Sequence, residues 1–132
     1  MLRTIPPTPP NILAQFRSPE EWSDEPLDEQ IDAYSFGNVL YVMLTGLEPF
    51  YAVDDDGVVQ DGMIGGETPF IDERYRTRSY EEGRICELLD GLFKFDPSER
   101  TTIFEAVRFL REAVEGGMKK EREESPSGSR RR

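Results

Sequence analysis

The chain has 132 residues, enough for one ordinary domain or part of a larger one and too few for two. Charged residues make up 33% and apolar residues 36%; residues 116–132 hold six Lys/Arg against three Glu, so the net charge of −11 leaves −14 on residues 1–115. An acidic body of this kind argues against nucleic-acid binding, the lone Cys86 excludes an internal disulfide and suits a reducing compartment, and the lack of histidine removes the commonest general base and the commonest zinc ligand together.

The chain opens with MLRTIPPTPP, which has no apolar run for a secretory signal. Residues 1–13 read as a Pro-rich extended leader, because proline cannot continue a helix or a central strand. Pro7 and Pro10 have PxxP spacing, open to a proline-reading groove or to a plain stiff linker. Next comes Arg17-Ser18-Pro19-Glu20-Glu21-Trp22, a generic helix opening with Pro at the first position and carboxylates at the positive end of the dipole. The segment Ile31–Leu47 is apolar over roughly 25 Å of helical rise. Asp32, Ser35, Gly37 and Asn38 interrupt it, so it reads as a helix buried in protein rather than a membrane span. Its apolar residues go most of the way round, Gly46 ends it, and Pro49 prevents restart.

The middle of the chain is rich in glycine and acid. Val58, Val59, Met63 and Ile64 predict one short helix closed by Gly65 and Gly66. Asp54, Asp55 and Asp56 read as a solvated loop, since no later Glu completes a calcium loop around Gly57. Two further helices are announced by S/T-x-x-E capping boxes. Ser79 and Glu82 precede the stripe Ile85, Leu88, Leu89, Leu92; Thr102 and Glu105 precede Ala106, Val107, Leu110, Val114. Cys86 falls in the first stripe, as a buried structural thiol would. Asp96-Pro97-Ser98-Glu99-Arg100 between them is a turn, and residues 116–132 read as a disordered charged tail ending in Arg130, Arg131 and Arg132. The residues alone predict an all-helical body with a loop-rich middle.

Taken in order, four motifs resemble the second half of the eukaryotic protein-kinase domain. Ser18-Pro19-Glu20 is similar to the triplet that ends the activation segment, and Asp32-Ala33-Tyr34-Ser35-Phe36-Gly37 to the D-x-W-S-x-G motif of the large lobe's central helix. Leu44-Thr45-Gly46 with Pro49-Phe50, and Asp96-Pro97-x-x-Arg100, complete the series, and the twelve-residue step from Glu20 to Asp32 has the family's spacing. The resemblance implies a mainly α fold: a partial kinase-like large lobe over residues 14–115. It implies that Glu20 pairs with Arg100, that Asp32 accepts hydrogen bonds from backbone N–H groups of the catalytic loop, that Gly37 permits close helix packing, and that Gln15, Phe16 and Arg17 border a substrate groove. Thr8 ahead of Pro9 and Ser125 ahead of Pro126 are candidate phosphorylation sites. Tyr34 stands where Trp is commonest, and the residues before Ser18 match neither the serine/threonine nor the tyrosine pattern, so the resemblance leaves the acceptor hydroxyl open.

Phosphoryl transfer needs a phosphate lid, a strand lysine, a catalytic-loop aspartate and asparagine, and a magnesium-binding aspartate. In the family all of these precede Ser-Pro-Glu, and the 17 residues before Ser18 contain neither HRD nor DFG. The expectation is a chain with no catalytic, cofactor or metal residue of its own, from a parent that uses ATP and Mg²⁺ on a protein substrate. Its expected partner is the missing N-terminal part of the domain, or another protein if the chain is a stand-alone regulatory module. Nucleic acid and membrane are not expected, and the expected location is cytoplasm or nucleus.

Overall fold

The computed structural model describes residues 14–22 and 28–124. The Pro-rich leader, Thr8, Ser125 and the three terminal arginines lie outside the described residues. Among those described there are five α-helices and no strand: α1 (Gln30–Thr45), α2 (Asp56–Ile64), α3 (Arg74–Thr77), α4 (Tyr80–Leu92) and α5 (Ile103–Glu124). Two short 3₁₀ turns, Ala14–Phe16 and Pro19–Trp22, precede them.

Local chemistry sets the ends of these elements. Asp28 Oδ1 accepts from the Gln30 N–H at the start of α1. At its other end Gly46 takes φ 75° and donates to the Val42 carbonyl, a left-handed closure that glycine adopts without a Cβ penalty. Asp55 caps α2 by accepting from the Gly57 and Val58 N–H groups, which gives the acidic run a structural task. Thr102 and Glu105 form a complete reciprocal box at α5, at 2.9 and 3.1 Å. The box at α4 is only half made: Ser79 Oγ accepts from the Glu82 N–H, but the Glu82 carboxylate turns to Arg78, with both contacts at 2.8 Å. A charged guanidinium fork outcompetes a single backbone N–H for that carboxylate.

The core is built where α4 crosses α1. Ala33, Tyr34, Leu40 and Tyr41 of α1 are buried against Leu88, Leu89, Leu92 and Phe93, and Val59 and Met63 of α2 with Ala106 of α5 complete the cluster. The Tyr34 and Phe93 rings lie tilted with centroids 5.1 Å apart. Gly37 sits at the closest approach: a Cβ there would stand 2.9 Å from Phe93 Cε1 and 3.1 Å from Leu92 Cβ. Arg76 of α3 holds Asp90 of α4 through two hydrogen bonds, at 2.8 and 2.9 Å.

Two expectations need correction. Helix α5 continues to Glu124, so residues 116–124 are helical where composition suggests a disordered tail. Lys120 pairs with Glu124 one turn on, and Gly116 and Gly117 sit where α5 passes the start of α4. A Cβ on Gly116 would collide with Tyr80 Oη, and one on Gly117 would come to 3.0 Å from the Glu81 carboxylate. Helix α1, whose all-round apolar character suggests cover on nearly every side, also has an open face. Val39 is 50% and Met43 75% exposed.

Candidate functional site

The site is organised by Arg100, in the turn between α4 and α5. Its side chain is fully buried, and each of its N–H donors has an acceptor. Nη1 and Nη2 reach the two carboxylate oxygens of Glu20 at 2.7 and 3.0 Å. The remaining donors go to the backbone carbonyls of Lys94 at 2.9 Å, Gln30 at 2.7 Å and Phe95 at 3.0 Å. The guanidinium also lies over the Tyr34 ring, 5.0 Å from its centroid. One planar cation thus joins the Pro19–Trp22 turn, the start of α1 and the end of α4. Gln30 reciprocates from α1, its Nε2 donating to the Pro97 and Arg100 carbonyls. Asp96 fixes the same turn by accepting from the Ser98 N–H and Oγ, and these bonds, backbone first, hold its carboxyl below its usual pKa of 3.8. Burial pushes the Tyr34 phenol well up, with the Arg100 charge opposing that shift.

Ser18, also buried, begins the Pro19–Trp22 turn. Its N–H and Oγ both donate to Glu21 Oε2, at 2.8 and 3.0 Å. This is a capping relationship at the S-x-x-E spacing that sequence reasoning credits only to the later helices. Arg17 lies over Trp22, 5.4 Å from the ring centroid. The segment before it is fastened to α1 through its backbone: the Phe16 carbonyl accepts from Asn38 Nδ2 at 2.9 Å and from Ser35 Oγ at 3.4 Å. Gln15 Nε2 donates to Glu48 at 3.0 Å. Phe16, Arg17, Glu21, Ser35 and Val39 line an open cleft of about 410 Å³.

Ser35 and Asn38 are the residues that sequence reasoning missed. They read as interruptions of an apolar run, yet their i, i+3 spacing places them on one helix face, and a polar pair on an otherwise apolar helix is the signal of a polar partner. Asp32 behaves differently from the rest. It is exposed, it lines a second open cleft of about 670 Å³ with Asp28, Asp96, Thr102 and Phe104, and no side-chain hydrogen bond falls on it among the described residues. The structure therefore brings Ser18, Pro19, Glu20, Asp96 and Arg100 together around one ion pair and sets Gly37 in the helix crossing beneath. Asp32 faces outward.

A scan against protein families matches residues 10–109 to the protein kinase domain. The chain belongs to the protein kinase domain family. Similar proteins include calcium-dependent protein kinase 15 of Oryza sativa subsp. japonica, 32% identical over 78 residues, which are 59% of this chain and 14% of that protein. Calcium-dependent protein kinase 19 of Arabidopsis thaliana is 32% identical over 91 residues, 67% of this chain and 16% of that protein. Among solved structures, the twitchin kinase region from C. elegans superposes with a TM-score of 0.61 at 25% identity, covering 74% of this chain and 17% of that one. This kinase-domain chain therefore holds part of the large lobe, and spans about a sixth of the length of these relatives. No helix among the described residues is long and apolar enough to cross a membrane.

Proposed function

We propose that this chain is the back part of a kinase large lobe, whose parent transfers phosphate from ATP to protein hydroxyls, and that the chain alone is catalytically silent. One contrast carries the reading. Arg100 has an acceptor for every donor, while Asp32, in the neighbouring first turn of α1, presents its carboxylate to an open cleft with no donor among the described residues. The half of the scaffold that joins the activation-segment end to the last helices is complete; the half that would hold a catalytic loop lacks that loop.

ATP and Mg²⁺ do not fit the residues present. Among those described, no group of three or more Cys, Asp or Glu is placed to hold a metal ion, and the sequence has no GxG loop to cradle phosphates. Segments other than this chain would bind them. A protein substrate of the parent would lie along Gln15, Phe16 and Arg17. Serine and threonine are the proposed acceptors, because one relative, 30% identical over 91 residues, is a calcium and calcium/calmodulin-dependent serine/threonine-protein kinase. The cytoplasm or nucleus is the proposed location, on the single reduced cysteine.

A second reading, a stand-alone kinase-derived module that binds another protein, is favoured by the open face of α1, where Val39 and Met43 are 50% and 75% exposed beside the Phe16 cleft. Incubating the purified chain with ATP, Mg²⁺ and a general protein substrate is expected to transfer no phosphate; turnover that survives removal of contaminating kinases would sink the silent assignment. Sequencing the transcript upstream of Met1 separates the two readings: HRD and DFG in frame support the parent kinase, and an in-frame stop codon supports the module.

A further inference from the structure

The acidic body carries one basic island. Residues 1–115 hold ten Lys/Arg, and three of them, Arg74, Arg76 and Arg78, fall within five residues, with Thr77 between the last two. Thr77 is exposed at the end of α3, and no hydrogen bond holds its hydroxyl among the described residues. Arg74, three residues back, lies on the same face of that turn. Tyr75 gathers the two outer arginines: the guanidinium carbons of Arg74 and Arg78 stand 5.9 and 4.9 Å from its ring centroid. Their ion pairs, Arg74 with Asp72 at 3.4 Å and Arg78 with Glu82 at 2.8 Å, are at the surface, where partners exchange at little cost.

We propose that Thr77 is a phosphorylation site for an arginine-directed serine/threonine kinase, and that Arg74 and Arg78 hold the phosphate it receives. ATP is the donor. The bond from its γ-phosphorus to the bridging oxygen breaks, a bond from Thr77 Oγ1 to that phosphorus forms, ADP leaves, and the hydroxyl proton passes to the base of the modifying enzyme. Kinases select acceptors by the charges around them, and an arginine three residues before Thr77 with one on either side is such a pattern. Access is local: α3 is one turn of four residues and buries none of them, so it opens without breaking the core. Arg76 is the latch on that opening, through its two hydrogen bonds to Asp90 at 2.8 and 2.9 Å. Ser79 also has an arginine three residues before it, but it is half-buried and its Oγ accepts from the Glu82 N–H as the cap of α4. A dianionic phosphate on Thr77 draws Arg78 away from Glu82. The freed carboxylate then closes the capping box on the Ser79 N–H, the half of it that is unmade here. The site shares no residue with the Glu20–Arg100 pair or the Phe16 cleft, and stands apart from the functional reading above.

The test is to incubate the 132-residue chain with ATP, Mg²⁺ and a kinase that selects Arg three residues before its acceptor, and to locate the phosphate by tandem mass spectrometry. A control without added kinase keeps the result separate from any activity of the chain itself. Phosphate is expected on residue 77, kept in Thr77→Ser, lost in Thr77→Ala, and added about tenfold or more slowly in Arg74→Ala. Asp90→Asn is expected to speed the reaction by releasing the latch. Titration by phosphorus NMR is expected to give the phosphate a lower second pKa in the modified wild type than in modified Arg78→Ala. No incorporation, or phosphate only on Ser79, Thr8 or Ser125, overturns the proposal. Equal titration curves overturn the role of Arg78 as its holder.

Discussion

Arg100 and Glu20, eighty residues apart in sequence, meet through two buried hydrogen bonds of 2.7 and 3.0 Å, and the Arg100 fork has no donor left over. A fully satisfied buried cation is a demanding arrangement. Its desolvation is offset only while every partner is in place, and its removal strips two hydrogen bonds from the buried Glu20 carboxylate and one from each of three backbone carbonyls.

Arg100→Ala is therefore expected to lower stability by about 3–5 kcal/mol. Arg100→Lys is expected to rescue little of it, because an ammonium supplies three donors without a planar fork and the acceptors here come from three different segments. Urea unfolding followed by circular dichroism measures both. A lysine variant close to wild type would show that charge, and not fork geometry, holds the turn to the helices.

The crossing of α1 and α4 yields a second expectation. Gly37→Ala adds one methyl where Phe93 and Leu92 stand at 2.9 and 3.1 Å. Overpacking of this kind costs about 1–3 kcal/mol, against the gain of about 1 kcal/mol that the same change brings in an open helix interior. A midpoint shift toward lower urea at unchanged slope is the expected result; a stabilised variant would mean that the Phe93 ring moves freely.

These two sites differ in how they are written in the sequence. Caps at Ser79 and Thr102 are legible because they depend on residues three apart, whereas the cap at Asp55 is hidden in an acidic run that reads as a solvated loop. The Glu20–Arg100 contact is legible only through family resemblance, since no local rule joins positions so far apart. Asn38 is misread because periodicity scores it as a break in an apolar helix, while its meaning lies in the Phe16 carbonyl it holds. The helical stretch 116–124 is misread for the converse reason: its mixed charge reads as a disordered tail, and only the close approach of Gly116 and Gly117 to Tyr80 and Glu81 shows that it continues α5 along the body.

Asn38→Leu follows from that contact. It keeps the helix and the side-chain volume but removes the shorter of the two hydrogen bonds to the Phe16 carbonyl, leaving Ser35 Oγ at 3.4 Å, at a cost of about 1 kcal/mol. The expected local signature is faster hydrogen exchange and proteolysis over residues 14–17, with α4 and α5 protected as before. Uniformly faster exchange would instead place Asn38 in the global core.

Acid should weaken the chain at its capped turns. Asp96 is held below its usual pKa of 3.8 by the Ser98 N–H and Oγ, and Glu105 below 4.5 by the Thr102 N–H and Oγ. Glu82 is held low chiefly by Arg78. A carboxyl whose folded pKa lies below its unfolded one binds fewer protons when folded, so its stabilisation is complete above the unfolded value and is lost as pH falls through the folded value. Stability is thus expected to be flat with respect to these groups near neutrality and to fall below about pH 4.5, the window their shifts define. Asp96→Asn and Glu105→Gln together should flatten that acid limb in a series of urea melts from pH 6 to pH 3. An unchanged limb in the double variant would assign the acid sensitivity to other carboxylates.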